Sequence, residues 1–467
     1  LTDRIINPGA YSNQKSREES VVTGKLIRIL CVSMAFVLTL GLVACGKADN
    51  KPAGDTDGTK AAATDVTKEE TEEKVKLRIY TYFDENAKGS VIPAAEEMKT
   101  IMPNVEVEFI QRADSDQTKL KSMAAVGDMP EIFESDASLI ETFKKSNQLV
   151  VLDKYIEELN VKEKINESMY PVLWNPDGHC YAMPFDGSNI GLIYYNKDLF
   201  SSNNIKVPEN YDEFLAAVKA FSEKGIVPVA FFAKEKWQGV QFYDMLVTRM
   251  EPEGVNKVNN GNGKITEEAY KVAAERLYEL AKAGMVVKGA FNTDYDQAFA
   301  MFQQGKAAMM VNGSWMLGDV AEKIGDHIDY LGYPLADAET VEKSRYNMAS
   351  GATEGGYSVA SNAKDIDLTA KYAIQYAMLV GKYRIVKMGY CTPLLKENPE
   401  PENPHKAIQK KFVAETPLWK TMTVFPFALS NLEFKTALEE NVEKLMLGSP
   451  QFTPEDFIRE MEKATSK

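Results

Sequence analysis

The sequence predicts an α/β fold of more than one lobe, and three observations lead there. Helical and extended patterns alternate along residues 75–136 and again along 210–333. Such βαβ order builds a largely parallel sheet with helices on both faces. At 467 residues the chain exceeds what one ordinary core accommodates, so two lobes are expected. Third, residues 302–315, FQQGKAAMMVNGSW, run from the end of a helix through a short apolar strand to Trp315. A strand that hands over to a helix at its carboxyl end faces the ligand crevice in open α/β sheets. The indole of Trp315 offers a flat apolar face with one polar edge to that crevice, or it plugs the core.

The elements follow in order. Residues 75–82 alternate Val75, Leu77 and Ile79 with lysine and arginine, the pattern of a half-buried strand. A helix at 91–101 is stopped by Pro103, a strand follows at 105–110, a helix at 118–126 and a short strand at 131–134. Asn175-Pro176-Asp177-Gly178 is turn chemistry, so residues 174–184 read as a hairpin. GLIYYN at 191–196 is a strand leading into a short helix, and Asn210 with Glu213 forms a capping box for the next helix. A strand at 227–232 precedes helices at 237–250, 266–283 and 294–304, the last two stopped by Gly284 and Gly305. The run 307–311 is a buried strand, followed by a sharp turn at 312–314. Next come a strand at 328–333, a glycine-rich turn at 351–356, a strand at 357–360 and a helix at 368–380. The prolines of 397–404 mark a linker, and helices at 434–447 and 454–464 close the chain.

Composition excludes several functions. Lysine and arginine total 54 against 68 acids, a net charge of −14, which disfavours nucleic acid as a partner. The three histidines are far apart, and there is no CxxC or HExxH, so no metal or cofactor is expected. Residues 256–268 only superficially resemble a calcium loop, because Val258 occupies a ligand position in either alignment. Cys180 and Cys391 remain for the folded part, either as two buried thiols or as a pair.

Ahead of the folded part, Lys25 and Arg28 precede an apolar segment at 29–40 that is short for a membrane span. It ends on Leu42-Val43-Ala44-Cys45-Gly46, which resembles the lipobox of bacterial lipoproteins, in which the cysteine is lipidated and becomes the new N-terminus. Residues 1–44 are then a leader with a signal peptide. Residues 45–74, rich in Lys, Asp, Glu, Thr and Ala, form a lipidated flexible tether.

With GLIYYNKDLF, GKAAMMVNGSW and GGYSVASN in that order behind a lipobox, the chain resembles the bacterial extracellular solute-binding proteins of family 1. These are the maltose-binding-like receptors of ABC importers. The resemblance implies a periplasmic-binding-protein-like fold, two α/β lobes joined by a three-crossing hinge. Crossings are expected near 190–195, near 351–357 and within 397–404. The first lobe would take residues 75–192 plus 356–399, the second 193–355 plus 400–467. It further implies a monomer, lipid-anchored on the outer face of the cell membrane, that captures a sugar or oligosaccharide and delivers it to permease subunits.

In that family the tryptophan matching Trp315 commonly stacks on a sugar ring. A pyranose has one apolar face for an aromatic, and its hydroxyls need planar donors and acceptors. Asp186, Glu354 and Asp136, at strand ends or crossings, are the candidate polar contacts, although each also reads as a helix cap or a solvated loop acid. Tyr82 and Phe83 end the first strand, and Trp237 opens a helix after a strand. All three would line the cleft or merely cover its wall.

Two rivals stand beside this reading. A binding lipoprotein for a peptide or other polar solute would need an arginine for a carboxylate ligand. A carbohydrate-active enzyme would need a pair of carboxylates that nothing singles out, and GxSxG, P-loop and GxGxxG motifs are missing.

Overall fold

The computed structural model describes residues 74–465 apart from 84–87, 113–116, 171–172, 176, 353–354 and 393. The leader, Cys45 and Glu354 lie outside the described residues. Among those described, strands form at β1 (Val75–Thr81), β2 (Val105–Gln111), β3 (Ile132–Asp136), β4 (Ala182–Met183), β5 (Gly191–Asn196) and β6 (Val227–Ala230). They continue with β7 (Ala307–Gly313), β8 (Ile328–Tyr330), β9 (Asn347–Ala352), β10 (Gly355–Val359) and β11 (Thr421–Val424).

Two sheets result, each with its own core. The first has the order β2-β1-β3-β10-β4, the second β6-β7-β5-β8, and β9 with β11 forms a separate parallel ribbon. In β1, Leu77 and Ile79 are buried, whereas Lys74 and Lys76 reach Glu106 and Glu108 on β2. Those ion pairs are exposed and add little stability; the buried face holds the strand. All seven residues of β7 are buried, because this central strand is covered on both faces. Around the first sheet Leu77, Ile132, Tyr357 and Tyr376 pack together; around the second, Tyr194, Phe214, Phe242 and Met309. The architecture is two α/β lobes, with sheets flanked by helices.

The sheets are mixed rather than largely parallel. β1, β2 and β3 run together, but β10 is antiparallel to β3, and β5 is antiparallel to both β7 and β8. The cause is connectivity. β5 begins where the chain arrives from the first sheet and β10 where it arrives from the β9 ribbon, and each starts at the end where its neighbour, β7 or β3, finishes.

Other expectations shift for local reasons. β7 runs through Gly313, so residues 312–314 are not a sharp turn. Residues 175–179 do turn, with Gly178 N–H on the Asn175 carbonyl at 2.8 Å, but the exit leg pairs with β10 and no hairpin forms. Asn210 caps its helix through Glu213 N–H, whereas the Glu213 carboxylate reaches back to Glu209 N–H at 3.0 Å instead of closing the box on Asn210. The helix expected at 368–380 spans Ile366–Met388. Gly381 does not end it. A Cβ there would meet Leu394 at 2.5 Å, so this glycine serves close packing in mid-helix. The helix stops instead at Gly389, whose φ of 66° is left-handed. In the stretch 256–268, Glu267 is bonded to Lys257 at 2.9 Å. Cys180 and Cys391 are both free, and burial pushes the Cys180 thiol up to about 12. Among the described residues no helix is long and apolar enough to cross a membrane.

Candidate ligand-binding cleft

One wall of the candidate site is built where β7 and β11 end. Trp315 sits in a short 3₁₀ turn, Ser314–Met316, between β7 and the helix Leu317–Lys323. Its ring lies against Gly313, where an added Cβ would be 2.0 Å from a ring carbon. Trp237 opens the helix Trp237–Val247, which is buried along its whole length. Gln238 fixes that helix, accepting Phe232 N–H at 2.7 Å and donating to the Val311 carbonyl on β7 at 2.7 Å. The ring centroids of Trp237 and Trp315 are 6.3 Å apart. Phe425, just after β11, is 5.1 Å from Trp315, and Phe427 is 5.5 Å from Trp237. Phe425 and Phe427 stack on each other within 4° of parallel. The result is an aromatic cluster in which Trp237 is 8% exposed and Trp315 half-buried.

A carboxylate is attached to this cluster. Trp237 donates its indole N–H to Glu235 at 2.9 Å. Burial raises the Glu235 carboxyl above its ordinary range, the Trp237 N–H opposes that, Asp294 adds to it, and Lys234 and Arg112 counter it. The Trp237 N–H occupies one Glu235 oxygen and the other takes no hydrogen bond among the described residues, which leaves an acceptor beside the indoles that suits a hydroxylated ring with one apolar face.

The opposite wall gathers the ends of β1, β2 and β3. Arg112 donates to Glu134 at 2.8 Å, with side chains 12% and 3% exposed, and stacks its guanidinium 4.4 Å over the Tyr82 ring. Glu134 also accepts from the Thr81 hydroxyl and from Tyr82 N–H, and Thr81 meets the Tyr357 hydroxyl at 2.9 Å. The two walls meet where the helix Ala137–Lys145 packs on the turn Pro426–Ala428 and Ala137 enters the second core. Arg112 of the first lobe is thus close enough to act on Glu235 of the second.

Residues 84–378 match the profile of the bacterial extracellular solute-binding protein family, well over half of the chain. The chain belongs to this family. An uncharacterized ABC transporter extracellular-binding protein of Pyrococcus horikoshii is 24% identical over 65% of this solute-binding protein and 70% of that one. The multiple sugar-binding protein of Streptococcus mutans is 26% identical, over 47% of this chain and 53% of its own. The chain thus spans only about half the length of that relative. Among solved structures, a protein described with xylan utilization by Caldanaerobius polysaccharolyticus shares the fold with a TM-score of 0.73 and 23% identity, over 83% of this chain and 99% of its own. A chitin oligosaccharide binding protein gives 0.72 at 22% identity, over 84% and 98%.

The structure of this solute-binding protein separates the residues singled out by sequence. Trp315 and Trp237 share one cluster, and Tyr82, 37% exposed, sits on Arg112 opposite. Phe83 stacks on Phe109 at 4.9 Å and packs against the first core. Asp136 caps the helix Ala137–Lys145, accepting Leu139 N–H at 2.9 Å. Asp186, partly buried just ahead of β5, is paired with Arg384 on the helix Ile366–Met388. Burial pushes its carboxyl up to about 6 although Arg384 opposes this. Arg384 is itself sandwiched between Phe185 and Tyr390. Arg112, Glu134, Glu235, Phe425 and Phe427 are the members that sequence reasoning missed. Glu134 lay in view as an acid inside a buried strand, which requires a partner. Among the described residues no cluster of His, Cys, Asp or Glu is placed to hold a metal ion.

Proposed function

We propose that this solute-binding protein captures a sugar, and an oligosaccharide in particular, between its two lobes and delivers it to the permease of an ABC importer. The observation that carries the reading is the pair Trp237 and Trp315 with the Glu235 carboxylate held on the first indole. The half-buried Trp315 suits the apolar face of a sugar ring, the buried Trp237 backs it and holds the carboxylate, and a carboxylate suits vicinal hydroxyls. Several relatives are named for sugar binding, among them the melibiose/raffinose/stachyose-binding protein of Bacillus subtilis, which supports the same ligand class.

Ligand bridging the walls favours the closed arrangement, and only the difference in affinity between open and closed forms drives that shift. Residues 75–192 with 356–399, and 193–355 with 400–467, are the segments that would move as lobes. The LVACG motif supports a signal peptide over 1–44 and lipidation at Cys45, which would tether the protein, read as a monomer, to the outer face of the cell membrane. Binding and release complete this role, with no chemical step.

A thermal-shift screen of the full chain against mono- and oligosaccharides, amino acids and short peptides tests the reading, since a ligand specific to the folded state raises the melting temperature. A rise with one class of oligosaccharide, recovered unchanged after incubation, is the expected result. A rise with peptides alone overturns the ligand class, and consumption of the sugar overturns the receptor.

A further inference from the structure

A cavity of about 310 Å³ lies in the second lobe, lined in part by Leu192, Tyr330, Arg345, Tyr346, Glu415 and Trp419. It is separate from the aromatic cluster by the geometry of the sheet. Gly191 and Gly313 are paired across β5 and β7, so their Cα substituents point to the same face. Trp315 lies over that face, in the space a Gly313 Cβ would need. Leu192 follows Gly191 and points to the other face. Tyr330 does so as well, because it pairs with Tyr194, two residues beyond Leu192. The cavity therefore opens behind the sheet that carries Trp315.

Its lining combines aromatic rings with a few polar groups. Tyr330, Phe412 and Trp419 form a chain of edge-to-face rings, with centroids 6.3 Å and 5.4 Å apart. Tyr330 donates its hydroxyl to one Glu415 oxygen at 2.8 Å. The other Glu415 oxygen, the Trp419 indole N–H and the Tyr346 hydroxyl take no hydrogen-bond partner among the described residues. One acceptor and two donors thus surround an aromatic-walled space at the lower end of the usual size for ligand pockets. Cations already occupy the positions open to one, since Lys411 lies 3.9 Å over the Tyr330 ring and Arg345, in the lining, binds the Gly332 carbonyl and Glu342.

We propose that this cavity is a second binding site, for a single neutral sugar ring, independent of the cleft between the lobes. The juxtaposition of Glu415, Trp419 and Tyr346 around an apolar wall supplies the stacking face and the hydroxyl partners such a ring requires.

The test uses the full chain labelled with 5-fluorotryptophan, whose four tryptophans give resonances assigned by replacing each with phenylalanine. Titration with D-glucose, D-galactose or D-xylose is expected to move the Trp419 resonance saturably, and to do so equally in Trp315→Ala. Glu415→Ala should weaken that response about tenfold, the loss of one good hydrogen bond, while the chain still melts cooperatively. The proposal is overturned if none of the three sugars moves Trp419 at millimolar concentration. It is also overturned if the movement disappears in Trp315→Ala, or if methylammonium produces it in place of the sugars.

Discussion

The indole of Trp315 rests directly on the bare Cα of Gly313, two residues earlier, where a methyl group would lie 2.0 to 2.3 Å from three ring carbons. The backbone of Gly313 is extended, with φ −117° and ψ 169°, so alanine is allowed there by conformation and excluded only by the ring. Gly313→Ala is therefore expected to displace Trp315 and cost about 1–3 kcal/mol in stability through overpacking. Calorimetric titration should show oligosaccharide affinity falling by as much as in Trp315→Ala, a few kcal/mol at most. Unchanged affinity in both variants would remove Trp315 from the site.

Glu235 makes a sharper probe of what the cleft asks of its ligand. Glu235→Gln keeps an acceptor for the Trp237 N–H but removes the charge near Arg112. The expected outcome is an intact fold with oligosaccharide affinity weakened by about 1–2 kcal/mol, the size of a charge-assisted hydrogen bond reduced to a neutral one. Equal affinity measured by titration would place the ligand away from this carboxylate.

Part of this arrangement is legible in the chain itself. Period-two and period-3.6 patterns suffice to place β1, β2, β7 and most helices, because a buried face imposes its period on the residues that build it. Trp315 and Trp237 are visible at strand-to-helix handovers for the same reason. Partnerships are not visible. Arg112 and Glu134 stand 22 residues apart, and Asp186 and Arg384 stand 198 apart. Only the folded sheet ends bring them together. The antiparallel entries of β5 and β10 are equally hidden, since local pattern carries no strand direction. Gly381 lies inside the helix expected to end at residue 380, and only the fold shows Leu394 packed against its bare Cα.

Arg112 and Glu134 should behave as a buried pair. Arg112→Ala leaves a carboxylate that is 3% exposed without its cation, which is expected to cost about 3–5 kcal/mol in urea denaturation. Glu134→Gln, which keeps an acceptor for the Thr81 hydroxyl and Tyr82 N–H, should cost less. A loss confined to ligand affinity, with stability unchanged, would instead make Arg112 a contact alone.

Stability should also carry a pH signature from Asp244. This carboxyl is fully buried on the helix Trp237–Val247, accepting from Thr423 on β11 and from Val255 N–H. Burial raises it from 3.8 to about 6, against the pull of those two donors and of Arg249. Between those values the folded chain binds the proton more readily than the unfolded one, so the contribution of Asp244 to stability declines as pH rises through the window. Urea melts across that interval should show a less negative slope of stability against pH in Asp244→Asn. An identical slope would mean that the carboxyl titrates at its ordinary value.

Asp186 poses the question of support against contact. Its carboxylate lies with Arg384 at 14% and 13% side-chain exposure, and Asn189 donates to it at 3.4 Å. Removing one partner strands the other, so Asp186→Ala and Arg384→Ala are each expected to cost about 3–5 kcal/mol. The double variant should cost clearly less than the sum, because neither charge is then left unpaired. Residual oligosaccharide affinity separates the two roles. If Asp186 anchors the first crossing to the helix Ile366–Met388, the double variant melts lower but binds with near-normal affinity once folded. If Asp186 reaches the ligand, affinity stays lost in the double variant, because restoring charge balance around the crossing does not restore an acceptor to the cleft.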